Sequence, residues 1–526
     1  MTEVPVGWGR AGSFEPARSR WRRRDRDSYN SAMSASARAT LSSLLWGASV
    51  LVFAVHVAGL VRAGGVPISG NDFPAFYCAG KALVAHADPY AIEPLRSCEH
   101  ALPRGSDLPD AYVTPAPLPP YALDLFALLA QLPYRAAAWL AFAVLALASI
   151  VLAVALARVT GIPSGAIACS LLLSAGLASV VFGQIPPLVT LAIVLCGLAL
   201  LRGDDAAASV CAAGAMIEPH VGLPVAASLF FLRPATRGWL AGFALLFAAA
   251  SALAVTPHGA IEYVAQVLPA QARAELLAVD QFSLSHVLAR AGATERVALA
   301  LGTLSYLLTL VLGVLAANLA SRRLDVAAIA YVPAAIALLA GTFVHEIQLV
   351  AALPAAYLCI ARGTSPLAWA GRFVVAVVAT MPFTIATDHR PLLDAFALFA
   401  GTGALVGAIP IGDPFDVFPA LGGFVLAAAC VAFPLAVERV ALPQLPARVA
   451  VRTPAATDGD ASDNWGAYLH SDPRYDAPRL DAEVSKLPVW LGLLTLLASL
   501  LGMGMAGLGP RTQAAWDPRP RIHLTS

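Results

Sequence analysis

Apolar runs long enough to cross a hydrocarbon core about 30 Å thick recur almost from end to end of this chain. They cover residues 41–61, 118–133, 136–157, 164–182, 187–201, 206–232, 238–256, 297–320, 326–344, 347–361, 368–386, 392–410, 418–437 and 488–507. The runs are continuous rather than alternating, so each must satisfy its own backbone hydrogen bonds, as a helix does and an open strand cannot. The pattern predicts an all-α polytopic membrane protein, a helical bundle with roughly 12–14 transmembrane helices.

Three polar intervals are long enough to carry function: 63–117, 257–296 and 438–486. In the first, Phe73 to Ala85 is amphipathic and predicts an interfacial helix, its aromatic side in lipid and Lys81 toward water or head groups. The third is polar and mixed in charge, as in Asp458-Gly459-Asp460, and reads as a loosely folded insert. The predicted organisation is a basic tail (1–41), a transmembrane catalytic region (42–437), the insert (438–486), a final transmembrane helix (487–507) and a C-terminal tail (508–526).

Composition agrees: 58% of residues are hydrophobic, 13% are charged, and the mean hydropathy is +0.71. The net charge of +1, with no basic stripe interleaved with aromatics, gives no footprint for a nucleic-acid partner. Arg18, Arg20, Arg22, Arg23, Arg24 and Arg26 precede the first run and hold the N-terminus on the cytoplasmic side, sending 63–117 outside. Counting crossings from there puts Arg135, Arg233, Arg237, Arg322, Arg323 and Arg362 inside, with Arg158 and Arg202 as exceptions.

Of seven cysteines, most lie in apolar runs as small core residues, whereas Cys78 and Cys98 share the first exported interval. A disulfide between them is chemically allowed there, although their separation says nothing about geometry. Acids and histidines are nowhere at metal-ligand spacing, so neither a metal nor another cofactor is expected.

Asp72, close to where the chain leaves the membrane, has two readings: a cap for the helix that follows, or a partly desolvated carboxylate acting as a base. His345-Glu346, with Gln348 just beyond, ends the run 326–344 on the same side, where ionisable groups usually face a cavity. Gly183-Gln184 and Glu218-Pro219-His220 break apolar regions, either as kinks or as substrate contacts. The crossing count puts Gln184 on the cytoplasmic side. The interval 257–296 adds Tyr263, Gln271, Arg273, Gln281, His286 and Arg290, and an arginine such as Arg273 suits a lipid phosphate.

The order of these pieces resembles the bacterial polyprenyl-phosphate-mannose-dependent glycosyltransferases of family 87, in the GT-C superfamily. The resemblance rests on Asp72-Phe73, Tyr77, Lys81, Asp88-Pro89-Tyr90, Leu118-Pro119-Pro120-Tyr121, Gly183-Gln184, Glu218-Pro219 and His345, over about residues 42–361. It departs at Glu218, where the family has lysine, and at Leu118, where it has tyrosine.

The resemblance implies a GT-C-type bundle in the bacterial plasma membrane, with its active site on the exported face. It implies transfer of a hexose, mannose before others, from a polyprenyl-phosphate donor to a glycolipid or glycan acceptor hydroxyl. Asp72 and His345 are then catalytic; Tyr77, Lys81, Asp88, Tyr90, Gln184, Glu218, His220, Arg273, His286 and Gln348 bind substrate. His345, Lys81 and Arg273 are the candidates to stabilise the leaving phosphate. The alternative from another class is a secondary transporter or lipid flippase with Glu218 and His220 at a broken helix, and a third is a non-catalytic envelope scaffold.

Overall fold

The computed structural model describes residues 35–68, 70, 72–103, 113–172, 175–278, 281–363, 365–380 and 480–505. The predicted spans 392–410 and 418–437 and nearly all of the insert lie outside the described residues. In chain order the helices are α1 (Ala35–Gly64), α2 (Asp72–Val84), α3 (Ile92–His100), α4 (Pro120–Leu129), α5 (Tyr134–Thr160), α6 (Ser164–Leu172), α7 (Ala175–Phe182), α8 (Pro186–Arg202) and α9 (Asp205–Ala215). They continue as α10 (Pro219–Leu232), α11 (Arg237–Glu262), α12 (Leu268–Ala274), α13 (Leu284–Arg290), α14 (Glu295–Arg323), α15 (Ala328–Ala337), α16 (Leu353–Arg362), α17 (Ser365–Thr380) and α18 (Leu480–Met505). Among the described residues there is no strand, only an isolated bridge between Gln281 and His345.

The protein is an all-α polytopic membrane protein. Among the described residues five helical stretches are long and apolar enough to cross a bilayer, or six when the pair α6–α7, bent by 57°, is counted as one broken span. Shorter apolar helices, including α4, α8, α10 and α15, complete the bundle. Proline accounts for several of the breaks, because it removes a backbone donor and clashes with the preceding turn. Thus 206–232, expected as one span, divides at Glu218-Pro219 into α9 and α10. The run 118–133 does not cross either: only Pro120–Leu129 is helical, and Gly80 of α2 packs on its Phe126 carbonyl so closely that a Cβ would sit 2.4 Å from that oxygen.

These two changes alter the crossing count and then restore it. Helix α5 now runs away from α2, so Arg158 joins the far end of the bundle, where Arg362 Nη2 donates to the Val159 carbonyl (3.3 Å). Arg202 ends α8 at that same end, and Arg233 meets Asp205 there at 2.7 Å. With Arg237, Arg322 and Arg323 these residues gather opposite the breaks at Gly183, Glu218 and His345. Arg158 and Arg202 therefore follow the majority, Gln184 changes sides, and Arg135 at the start of α5 becomes the exception.

The expected interfacial helix is α2, but its aromatic side faces protein rather than lipid. Phe73 is fully buried, Phe76 packs on Phe126 (5.0 Å between centroids) and Tyr77 meets Tyr134 edge-on at 5.3 Å. Helices α3, α4 and α5 supply a second core that the sequence pattern gave no reason to expect. Lys81 is exposed. Cys78 of α2 and Cys98 of α3 are joined by a disulfide across a sequence separation of 20. Closing a loop of that length restricts the unfolded chain, and Cys78→Ser is expected to cost about 3 kcal/mol, read as a lower Tm in detergent under non-reducing conditions.

Glu99 of α3 is 2% exposed and accepts hydrogen bonds from the Thr114 backbone N at 2.9 and 3.2 Å. Burial pushes its carboxyl from 4.5 up to about 8, the Thr114 bonds only partly opposing this. The folded state therefore keeps a proton that the unfolded chain releases. The associated stability is complete below about pH 4.5 and is lost as pH rises through about 8. Thermal melts should fall across that window, and Glu99→Gln should flatten the fall.

Candidate active site

Several breaks in the bundle deliver polar side chains to one place. Asp72 opens α2. Its neighbour Phe73 is wedged against Gly183, which has φ +71° and no room for a side chain: a Cβ there would lie 2.6 Å from the Phe73 Cβ. That close approach pins the start of α2 to the turn carrying Gln184, whose own N–H closes the end of α7 on the Ser179 carbonyl (2.8 Å). Glu218 caps the interruption before α10, and His220 lies in the first turn of that helix. Beyond α15 the chain passes through Gly341 (φ +108°) into an irregular stretch, then a 3-10 turn at Glu346–Ala352 that presents His345 and Gln348.

Together these residues line a cavity of about 1270 Å³. Asp72, Gln184, Glu218, His220, Glu275, His345, Glu346 and Gln348 supply its polar wall; Phe76, Pro115, Leu118, Ala248, Ala252 and Tyr263 are among the rest. Irregular backbone at membrane depth is tolerated where it borders such a cavity. Leu223, Ile261 and Val264 line it while being 41%, 65% and 63% exposed, so it reaches the apolar outer surface. Among the described lining residues there is no lysine or arginine.

Two hydrogen-bonded groups organise the polar wall. In the first, Gln348 Nε2 donates to Glu218 Oε1 (2.7 Å), Gln348 Oε1 accepts from the His345 backbone N (2.8 Å), and His220 Nε2 lies 3.9 Å from Glu218 Oε1. In the second, His345 Nε2 lies 2.5 Å from Glu275 Oε2 and 3.0 Å from Gln281 Nε2. A side-chain amide nitrogen cannot accept, so the proton on Nε2 is assigned to the bond with Glu275. Gln281 Nε2 donates to the same carboxylate (2.8 Å), and Gln281 Oε1 accepts from the Val344 N (3.1 Å). Glu275 is 3% exposed and Gln281 fully buried. The His345 ring also lies tilted against Phe343, at 4.4 Å between centroids.

The structure thus brings Asp72, Gln184, Glu218, His220, His345 and Gln348 to one cavity. Tyr263, Gln271 and Glu346 line it as well, whereas Tyr77, Lys81, Asp88, Tyr90, Arg273 and His286 do not. Tyr77 donates to the Leu132 carbonyl (2.9 Å), and Tyr90 donates to the Leu118 carbonyl (2.8 Å), bracing the loop that walls the cavity. Asp88 accepts from the Tyr90 N in a local turn (2.9 Å). Lys81 is exposed, and Arg273 is turned onto its own helix, its Nε donating to the Pro269 carbonyl (3.2 Å). His286 is buried against the Leu276 carbonyl and Lys486. Glu275 escaped the sequence reading because its partners, Gln281 and His345, are assembled only by folding. Among the described residues no three His, Cys, Asp or Glu side chains are grouped as metal ligands.

The fold and the site define a polytopic helical membrane protein that encloses a polar chamber reaching its apolar outer surface. The profile of glycosyltransferase family 87 matches residues 118–344, and the match supports membership of that family and hence a membrane glycosyltransferase. No curated protein matches the chain. The matched residues include Gln184, Glu218, His220, Glu275 and Gln281; Asp72 lies before them and His345 immediately after.

Proposed function

We propose that this glycosyltransferase moves a hexose, mannose in the first instance, from a polyprenyl-phosphate carrier to an acceptor hydroxyl on the exported face, with Asp72 as general base. The observation that carries the reading is the convergence of Asp72, Gln184, Glu218, His220 and His345 on one cavity. The acceptor oxygen attacks the anomeric carbon, Asp72 takes the hydroxyl proton, and the bond from that carbon to the phosphate oxygen breaks, releasing the polyprenyl phosphate. A phosphate is a good leaving group, and hydrogen bonds to its developing charge lower the barrier further. With Lys81 and Arg273 away from the cavity, this role falls to the imidazoles of His345 and His220. The exported orientation is supported by the arginines gathered at the opposite end of the bundle.

The test uses oriented vesicles and labelled polyprenyl-phosphate-mannose. Right-side-out vesicles are expected to form labelled product and inverted ones to form little. Transfer that requires only a nucleotide sugar, with the lipid donor inert, would overturn the donor assignment.

A further inference from the structure

Helix α18 lies outside the family match, yet it plants a cation in the protein interior. Lys486 is fully buried; its Nζ lies 2.8 Å from His286 Nε2 and 5.8 Å from the centre of the Phe282 ring. Burying an ammonium costs several kcal/mol unless it is well partnered, so removing its partners is expected to be felt. His286 Nδ1 lies 3.0 Å from the Leu276 carbonyl, which can only accept. Nδ1 therefore carries the proton, and Nε2 is left to accept from Lys486. Leu276 follows Glu275, the residue that fixes His345 Nε2.

A second line of contacts runs the same way. Trp490 Nε1 donates to the Phe282 carbonyl (3.0 Å), and the Phe282 N donates to the Val344 carbonyl (2.7 Å). That pairing sets Gln281 beside His345. Both routes start on α18 and end on the two residues that bracket the His345 imidazole.

We propose that Lys486 is a positioning residue for His345, acting through His286 and the segment 275–278. Its kinetic readout rests on the glycosyltransferase reading above. A misplacement of about 1 Å in a reacting group can cost on the order of a hundredfold in rate, so a modest relaxation of this segment is measurable.

The experiment compares the full-length protein with Lys486→Met, Lys486→Arg and the double variant Lys486→Met/His286→Leu in nanodiscs of phosphatidylethanolamine and phosphatidylglycerol. Transfer from polyprenyl-phosphate-mannose, thermal stability and amide hydrogen exchange are measured together. For Lys486→Met we expect kcat to fall on the order of tenfold or more, KM to stay within about twofold, and exchange to quicken at 341–348. Lys486→Arg should recover much of the rate. The double variant removes the imidazole between α18 and Leu276 as well, so its kcat should stay low.

If Lys486→Met does not fold, the other two variants decide the matter. Unchanged protection at 341–348, or a double variant with native kcat, overturns the proposal. Should the native protein transfer no sugar from any polyprenyl-phosphate donor, the function reading falls, and the exchange measurement alone judges Lys486: faster exchange at 341–348 upholds it, and unchanged exchange rejects it.

Discussion

Asp72→Asn is expected to lower kcat by about a thousandfold, the middle of the range for a lost general base, with KM changed little. Asparagine is nearly isosteric and caps a helix about as well as aspartate, so α2 should keep its place and its stability. The substitution therefore separates the two readings of this residue. A cap predicts native transfer by the asparagine variant, whereas a base predicts its loss with an unchanged melting temperature. Labelled transfer from polyprenyl-phosphate-mannose, followed beside a thermal melt, makes the distinction. Equal rates in the two proteins would remove Asp72 from the chemistry.

The second large effect is expected at Glu275. Glu275→Ala strips the acceptor from both His345 Nε2 and Gln281 Nε2 in a buried setting. Leaving such donors unsatisfied costs about 1–3 kcal/mol each, so the melting temperature should drop. The freed imidazole should also cost about a hundredfold in kcat, by loss of orientation. Glu275→Gln retains an acceptor oxygen and should show a clearly smaller loss in both measurements. If Glu275→Ala transfers sugar at the native rate, His345 is not oriented by this carboxylate, or its orientation is irrelevant.

How legible these residues were depended on what each needed from the fold. Asp72, Gln184, Glu218 and His345 could be found in the sequence because each stands at a break in an apolar run, and polar groups at such breaks are rarely idle. Their common cavity was only partly legible. Hydropathy counts apolar residues and is blind to where a proline ends a helix. It therefore read 118–133 as a crossing and 206–232 as one crossing where two short helices stand. The two errors cancelled by the time the chain reached His345, which kept its side, while Gln184, Arg158 and Arg202, lying between them, did not. Glu275 had no sequence sign at all: its importance comes from Gln281 and His345, and the latter is 70 residues away. Lys81 and Arg273 had the right chemistry, but one is left exposed and the other is turned back on its own helix.

The cavity's reach to the outer surface beside Leu223, Ile261 and Val264 has a consequence for how the enzyme senses its substrate. A donor that enters from the hydrocarbon is searched for in two dimensions, and its relevant concentration is its share of the membrane's lipids. Adding inert phospholipid at constant total donor should then slow transfer, while changing the aqueous volume should leave it untouched.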